Sequence, residues 1–227
     1  MNVKSLLLFC LCCFTSSTVL ATIVYDTWTS NEGSSGSYIF TVNHDQTNHL
    51  FNYEFTVDPW DAEGLGLFID FGDQTMPGNT ASDIGLRNVT PSGEVTLWNV
   101  DTTSNSCGGA GCNLNGLNPS LDAPDGEWEL VFRLGSQGFD SIQTFTWTTD
   151  DFSLGLDDFG LVGIRAQQQC SGSNTLDNGD GGCSGSDKSY GSAGGVTPRN
   201  IIPEPTSLFV FGLGLIVLSM LGRRRQH

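Results

Sequence analysis

Along residues 51–58 apolar and polar side chains change places at every step. Phe51, Tyr53, Phe55 and Val57 alternate with Asn52, Glu54, Thr56 and Asp58. A period of two gives one apolar and one wet face, which predicts a half-buried antiparallel strand. Tyr38, Phe40 and Val42 repeat the pattern just upstream, and the polar stretch NHDQTNH between the two runs reads as a hairpin connection. Further on, Leu65, Leu67, Ile69 and Phe71 fall on one face, and Trp128, Leu130, Phe132 and Leu134 alternate with Glu127, Glu129 and Arg133. EVTLWNV, IQTFTWTT, FGLVGIRAQ and TIVYDTW are rich in strand formers. No capped 3.6-residue repeat interrupts them. About eight or nine strands separated by Gly, Asn, Asp and Pro predict an all-β fold, an antiparallel two-sheet sandwich of jelly-roll type, over residues 22–169.

After Gln169 the composition turns to Gly, Ser, Asn and Asp, with too few apolar residues for a core. Residues 170–202 are therefore expected to form a loop and then a flexible linker.

Both ends of the chain are apolar. Lys4, the run Leu6–Phe14 and Val19-Leu20-Ala21 have the layout of a secretory signal peptide over residues 1–21, which implies the general secretion machinery as a partner. At the other end, Ser207 to Gly222 carries no charge, and its 16 residues fall short of the roughly 20 that a helix needs to span a typical bilayer. Arg223, Arg224 and Arg225 follow, a cluster that stays cytoplasmic. Pro203-Glu204-Pro205, the apolar Gly/Leu-rich segment and the terminal arginines together resemble the PEP-CTERM sorting signal of Gram-negative bacteria over residues 203–227. That resemblance implies recognition of Pro203, Glu204 and Pro205 by exosortase, a transient inner-membrane helix over 208–221, and Arg223 to Arg225 as the stop signal. It also implies exopolysaccharide-producing, biofilm-forming cells. Two prolines around a glutamate forbid regular helix and present an extended segment that a processing enzyme can bind. The body of such a precursor is expected in the periplasm and the mature chain at the cell surface or outside it.

Export reduces seven cysteines to Cys107, Cys112, Cys170 and Cys183, an even number in an oxidising compartment. Neighbours close small loops at low entropic cost, so Cys107–Cys112 and Cys170–Cys183 are the expected bridges. Residues 22–202 hold 24 acidic and 5 basic side chains, a formal charge of −19. Such a surface repels phosphate backbones and excludes nucleic acid as a partner.

Signs of catalysis are few. There is no G-x-S-x-G, and the histidines of the exported part, His44 and His49, lie at the hairpin connection, where with Asp45 they offer either metal ligands or solvated turn residues. Carboxylates are abundant, and a glycosidase pair needs two of them about 5 to 10 Å apart with one pKa raised by burial. In DPWDAEG, Asp58, Asp61 and Glu63 surround Trp60. There the indole offers either a flat face to a sugar ring beside Asp58 and Asp61, or a cap on the sandwich edge. Asp177, Asn178 and Asp180 supply hard oxygens among glycines, a calcium candidate that departs from the EF-hand spacing; otherwise no cofactor is expected. The reading is a non-catalytic surface or matrix protein that associates with extracellular polysaccharide, and the alternative is a secreted glycan-active enzyme with a carboxylate pair.

Overall fold

The computed structural model describes residues 21–33, 35–109, 111–117, 126–179 and 181–192, so the expected signal peptide and the C-terminal tail with its helix lie outside the described residues. Within them are eleven strands: β1 (Ala21–Tyr25), β2 (Thr29–Ser30), β3 (Tyr38–Asp45), β4 (Leu50–Val57), β5 (Glu63–Ile69), β6 (Arg87–Thr90), β7 (Val95–Thr102), β8 (Trp128–Leu134), β9 (Thr144–Asp150), β10 (Leu161–Cys170) and β11 (Cys183–Ser192). They pair antiparallel into a five-stranded sheet, β1-β3-β4-β9-β6, and a six-stranded sheet, β2-β11-β10-β5-β8-β7. This is the expected two-sheet sandwich, and no helix among the described residues is long and apolar enough to cross a membrane.

The β3–β4 hairpin follows from its alternation. Tyr38 stands opposite Val57 and Asp45 opposite Leu50. Asp45 closes the turn, its Oδ1 accepting the Thr47 and Asn48 N–H groups at 3.1 Å each. The inward side chains meet Leu67, Ile69, Leu130, Phe132 and Ile164 of the other sheet in the main core. At its centre Tyr53 stacks on Trp147 at 5.1 Å between ring centroids, and Phe132 meets Trp147 at 5.2 Å.

Strand β5 departs from simple alternation. Arg165 pairs with Gly66 and Ala166 with Gly64, so Leu65 is an extra residue, a β-bulge. Leu67 and Ile69 reach the main core while Leu65, expected beside them, turns to the opposite face. There Leu65 and Phe68 join Cys107, Cys112, Leu114, Trp128 and Val131 in a second buried cluster. Trp128, expected with Leu130, belongs to this cluster, and Glu129, expected on a wet face, is fully buried with its carboxylate accepting the Phe71 N–H. The cover is the loop closed by the Cys107–Cys112 disulfide.

Residues 193–202 lie outside the described residues, and over Cys183–Ser192 strand β11 corrects the loop-and-linker expectation for 170–202. It pairs with β10 from Cys183 opposite Cys170 to Ser192 opposite Leu161, and the Cys170–Cys183 disulfide ties the end of this hairpin. Its inward face is polar: the buried Asp187 carboxylate accepts the Ser30 hydroxyl at 2.5 Å, the Ser189 hydroxyl at 2.6 Å and the Tyr38 hydroxyl at 2.8 Å. Three donors offset the cost of burying the charge, so the strand needs no apolar side chains there.

A Cβ at Gly66 would collide with Cys107 Sγ and stand 3.0 Å from Cys112 Sγ. Gly66→Ala is expected to lower the unfolding free energy of the oxidised protein by about 1–3 kcal/mol, the usual cost of overpacking. Urea denaturation of oxidised wild type and variant measures it, and equal midpoints would remove the disulfide from the face of β5.

Candidate functional site

The loop that carried the sequence-based sugar site is mostly occupied with holding the fold. Trp60 is half-buried against Phe139 at 5.9 Å, and its indole Nε1 is shielded from solvent. Asp61 accepts the Ser37 N–H at 2.8 Å and the Ser37 hydroxyl at 2.7 Å, one on each oxygen. Asp58 is exposed. The indole thus packs on the edge of the sandwich, while Asp61 also lines a polar cleft of about 550 Å³ with Ser35, Gln169, Ser171 and Ser184.

Glu63, the third acid of that loop, sits at the start of β5 and is fully buried. Its Oε1 accepts the N–H groups of Asp140 and Ser141, both at 3.1 Å, which latches the loop between β8 and β9. Asp140 accepts in turn from the N–H groups of Ser136 and Ile142, both at 3.0 Å. Burial, then the charge of Asp140, pushes the Glu63 carboxyl up to about 7 against the pull of the two N–H donors. A pair of acids with one raised pKa is therefore present, although neither acid lines the cleft or the groove described below.

The histidines do not gather around Asp45, which is spent on the turn. His44 Nε2 and His49 Nδ1 lie 3.1 and 3.2 Å from the same oxygen of Asp151, a residue the sequence reading passed over. Burial raises the Asp151 pKa, but the bonds from His44, from the Ser153 N–H and from His49 outweigh it and leave the carboxyl below its ordinary range. Asp177 Oδ2 accepts the Thr175 hydroxyl at 2.9 Å, Asp180 lies outside the described residues, and no group of three or more metal-ligating side chains occurs among the described residues.

The outer face of the five-stranded sheet holds an arrangement of a different kind. Strand register sets Asn43, Asn52 and Thr148 in one row, and Thr41, Glu54 and Thr146 in the next. Asn43 Oδ1 accepts the Thr22 hydroxyl at 2.6 Å and Asn52 Oδ1 accepts the Thr148 hydroxyl at 3.2 Å. With both carbonyl oxygens engaged, the two amino groups stay available as donors beside the Glu54 carboxylate. These side chains, with Asn88 and Thr146, line a groove of about 310 Å³. Alternation had marked Asn52 and Glu54 as the wet face, but the lateral rows depend on strand order, which no local pattern carries.

Comparison with known families gives one match, at the end of the chain. Residues 202–226 match the PEP-CTERM protein-sorting motif. The chain carries that sorting signal, which implies an exported protein that is held transiently in the membrane and processed by exosortase. Pro203, Glu204, Pro205 and Arg223 to Arg225 lie inside the matched segment and outside the described residues. Neither the curated proteins nor the solved structures give a match to the chain.

The raised Glu63 pKa fixes a pH dependence. Between about 4.5, the ordinary value, and about 7 the folded state holds a proton that the unfolded state has released. This contribution is complete below the ordinary value and is lost as pH rises through the folded one. Glu63→Gln should remove the loss, so its unfolding free energy relative to wild type is expected to climb between about pH 4.5 and about 7 and to level off above that. Urea denaturation across a pH series reads the difference, and parallel curves would show that Glu63 does not titrate in this range.

Proposed function

We propose that the protein is an exported, non-catalytic module that associates with extracellular polysaccharide at the cell surface through the polar face of its five-stranded sheet. The observation that supports this reading is the pair of rows Asn43-Asn52-Thr148 and Thr41-Glu54-Thr146, in which all but Thr41 line a shallow groove with amide donors, hydroxyls and one carboxylate. Hydroxylated polymers need short-range donors and acceptors, and neutral amides supply them on a strongly acidic chain. The precursor is held in the inner membrane with its body in the periplasm, and exosortase removes the tail before release or attachment outside.

The second reading, a secreted glycan-active enzyme, draws on Glu63 with its raised pKa beside Asp140. Both Glu63 oxygens already accept protein donors and the side chain has no exposed surface, which favours a latch over an acid catalyst. Release of soluble sugar, abolished by Glu63→Gln in a folded variant, would reverse that preference.

Pull-down of the mature protein on the polysaccharide of the producing cells tests the reading. Asn43→Ala with Asn52→Ala is expected to weaken retention by about 1–3 kcal/mol, the worth of two exchanged hydrogen bonds. Binding to a neutral glycan should survive a chelator, whereas an anionic polymer needs divalent cations, calcium among them, to bridge like charges. No retention under either condition would end the proposal.

For the tail, Pro203→Ala with Pro205→Ala is expected to leave the precursor uncleaved in the inner membrane. Mass spectrometry of the extracellular fraction decides it: mature wild-type chain that still carries Arg225 would contradict processing.

A further inference from the structure

We infer that Trp98 is a second glycan-binding site, a stacking surface for the C–H face of a pyranose ring on the opposite side of the sandwich from the Asn43 and Asn52 groove. The inference rests on the polysaccharide reading and names a contact that the reading does not use. In β7, Leu97 pairs with Phe132 and Asn99 with Val131, so Trp98 is the extra residue of a β-bulge. Val95 and Leu97 face the core, so Trp98 points outward with Thr96, and the extra residue returns Val100 to the core. Trp98 is 50% exposed, and Val24 on β1 is the only other large hydrophobic residue with comparable exposure among those described.

The ring has a built floor. Gly108 lies under it so closely that a Cβ there would stand 2.9 Å from Trp98 Cε3. Gly108 belongs to the loop closed by the Cys107–Cys112 disulfide, and its carbonyl accepts Arg133 Nη1 at 3.2 Å. One face of the indole therefore rests on a restrained backbone while the other meets water. Holding the ring before a ligand arrives spares the entropy of ordering it on binding.

Chemistry selects the occupant. A protein partner would need a contiguous apolar patch, but among the described residues Trp98 and Val24, on the other sheet, are the only exposed large hydrophobics, and exposed Thr96 lies on the same side of the strand as Trp98. A sugar ring offers an apolar C–H face and a rim of hydroxyls, which matches an isolated indole bordered by polar groups. Trp60, the other candidate, has its ring packed on Phe139.

The test uses the mature protein with the polysaccharide isolated from the producing cells. All five tryptophans are described; Trp98 is exposed, Trp28 and Trp60 are half-buried and Trp128 and Trp147 are buried, so the share of acrylamide-quenchable fluorescence that Trp98→Ala removes reports on its ring. Polysaccharide is expected to shield that fluorescence in wild type. Trp98→Ala should lose the component that polysaccharide shields and weaken retention about tenfold, with Trp98→Phe keeping most of the retention. Melting temperature and sedimentation should stay at wild-type values in both variants. Retention of Trp98→Ala at the wild-type level, while the Asn43/Asn52 double variant is lost, overturns the Trp98 site and leaves the proposed function standing. A change in sedimentation without a change in retention overturns it in favour of self-association. Absence of wild-type retention overturns the function and this inference together.

Discussion

Strand β5 has no face left for water, and much of the molecule is arranged around that constraint. One side carries Leu67 and Ile69 into the space between the sheets; the other carries Leu65 and Phe68. Each large apolar side chain removed from water contributes about 1.5–3 kcal/mol, so a sandwich that left the second side open would forgo several such terms. The loop around Cys107 and Cys112 covers it, and Gly66 lets the disulfide approach the strand backbone. Lys188 Nζ of β11 reaches Asn115 O at 2.8 Å, which fastens the far side of the same cover.

The features legible in the sequence are those that depend on neighbours along the chain. Eight of the eleven strands, the β3–β4 hairpin and both disulfides follow from alternation and from cysteine spacing. Strand β11 stayed hidden because its buried side is built from Asp187, Ser189 and Gly191, and a carboxylate satisfied by hydroxyls from Ser30 and Tyr38 leaves no apolar period to count. The bulges at Leu65 and Trp98 were equally invisible, since one extra residue reverses the parity that alternation assumes. Asp151 is about a hundred residues from His44 and His49 in the chain, and only the β4–β9 pairing brings the three together.

The acidic residues show why abundance of carboxylates is a poor guide to chemistry. Glu63, Asp70, Glu129, Asp151 and Asp187 are all buried. Asp70 takes the N–H groups of Gly72 and Leu161, much as Glu63 takes those of Asp140 and Ser141. Glu129 and Asp151 likewise accept the N–H groups of Phe71 and Ser153, while Asp187 accepts the Ser30, Tyr38 and Ser189 hydroxyls, and that structural service accounts for the burial. A raised pKa at such a position follows from desolvation and a neighbouring charge, so it marks a catalytic acid only where solvent or a substrate can reach it.

In the proposed reading the surface carries the function, and its charge constrains what can bind. Repulsion between a strongly acidic chain and an anionic polymer acts over about 8–10 Å at ordinary ionic strength, whereas hydrogen bonds from Asn43 and Asn52 act at contact. For a neutral polymer the long-range term vanishes and the amide rows decide affinity with little dependence on salt. For an anionic one, the same rows are reached only after cations have neutralised the approach. The sorting tail directs the protein out of the cell without setting which of these polymers it meets; in the proposed reading that choice falls to the few neutral donors that the sheet sets beside the Glu54 carboxylate.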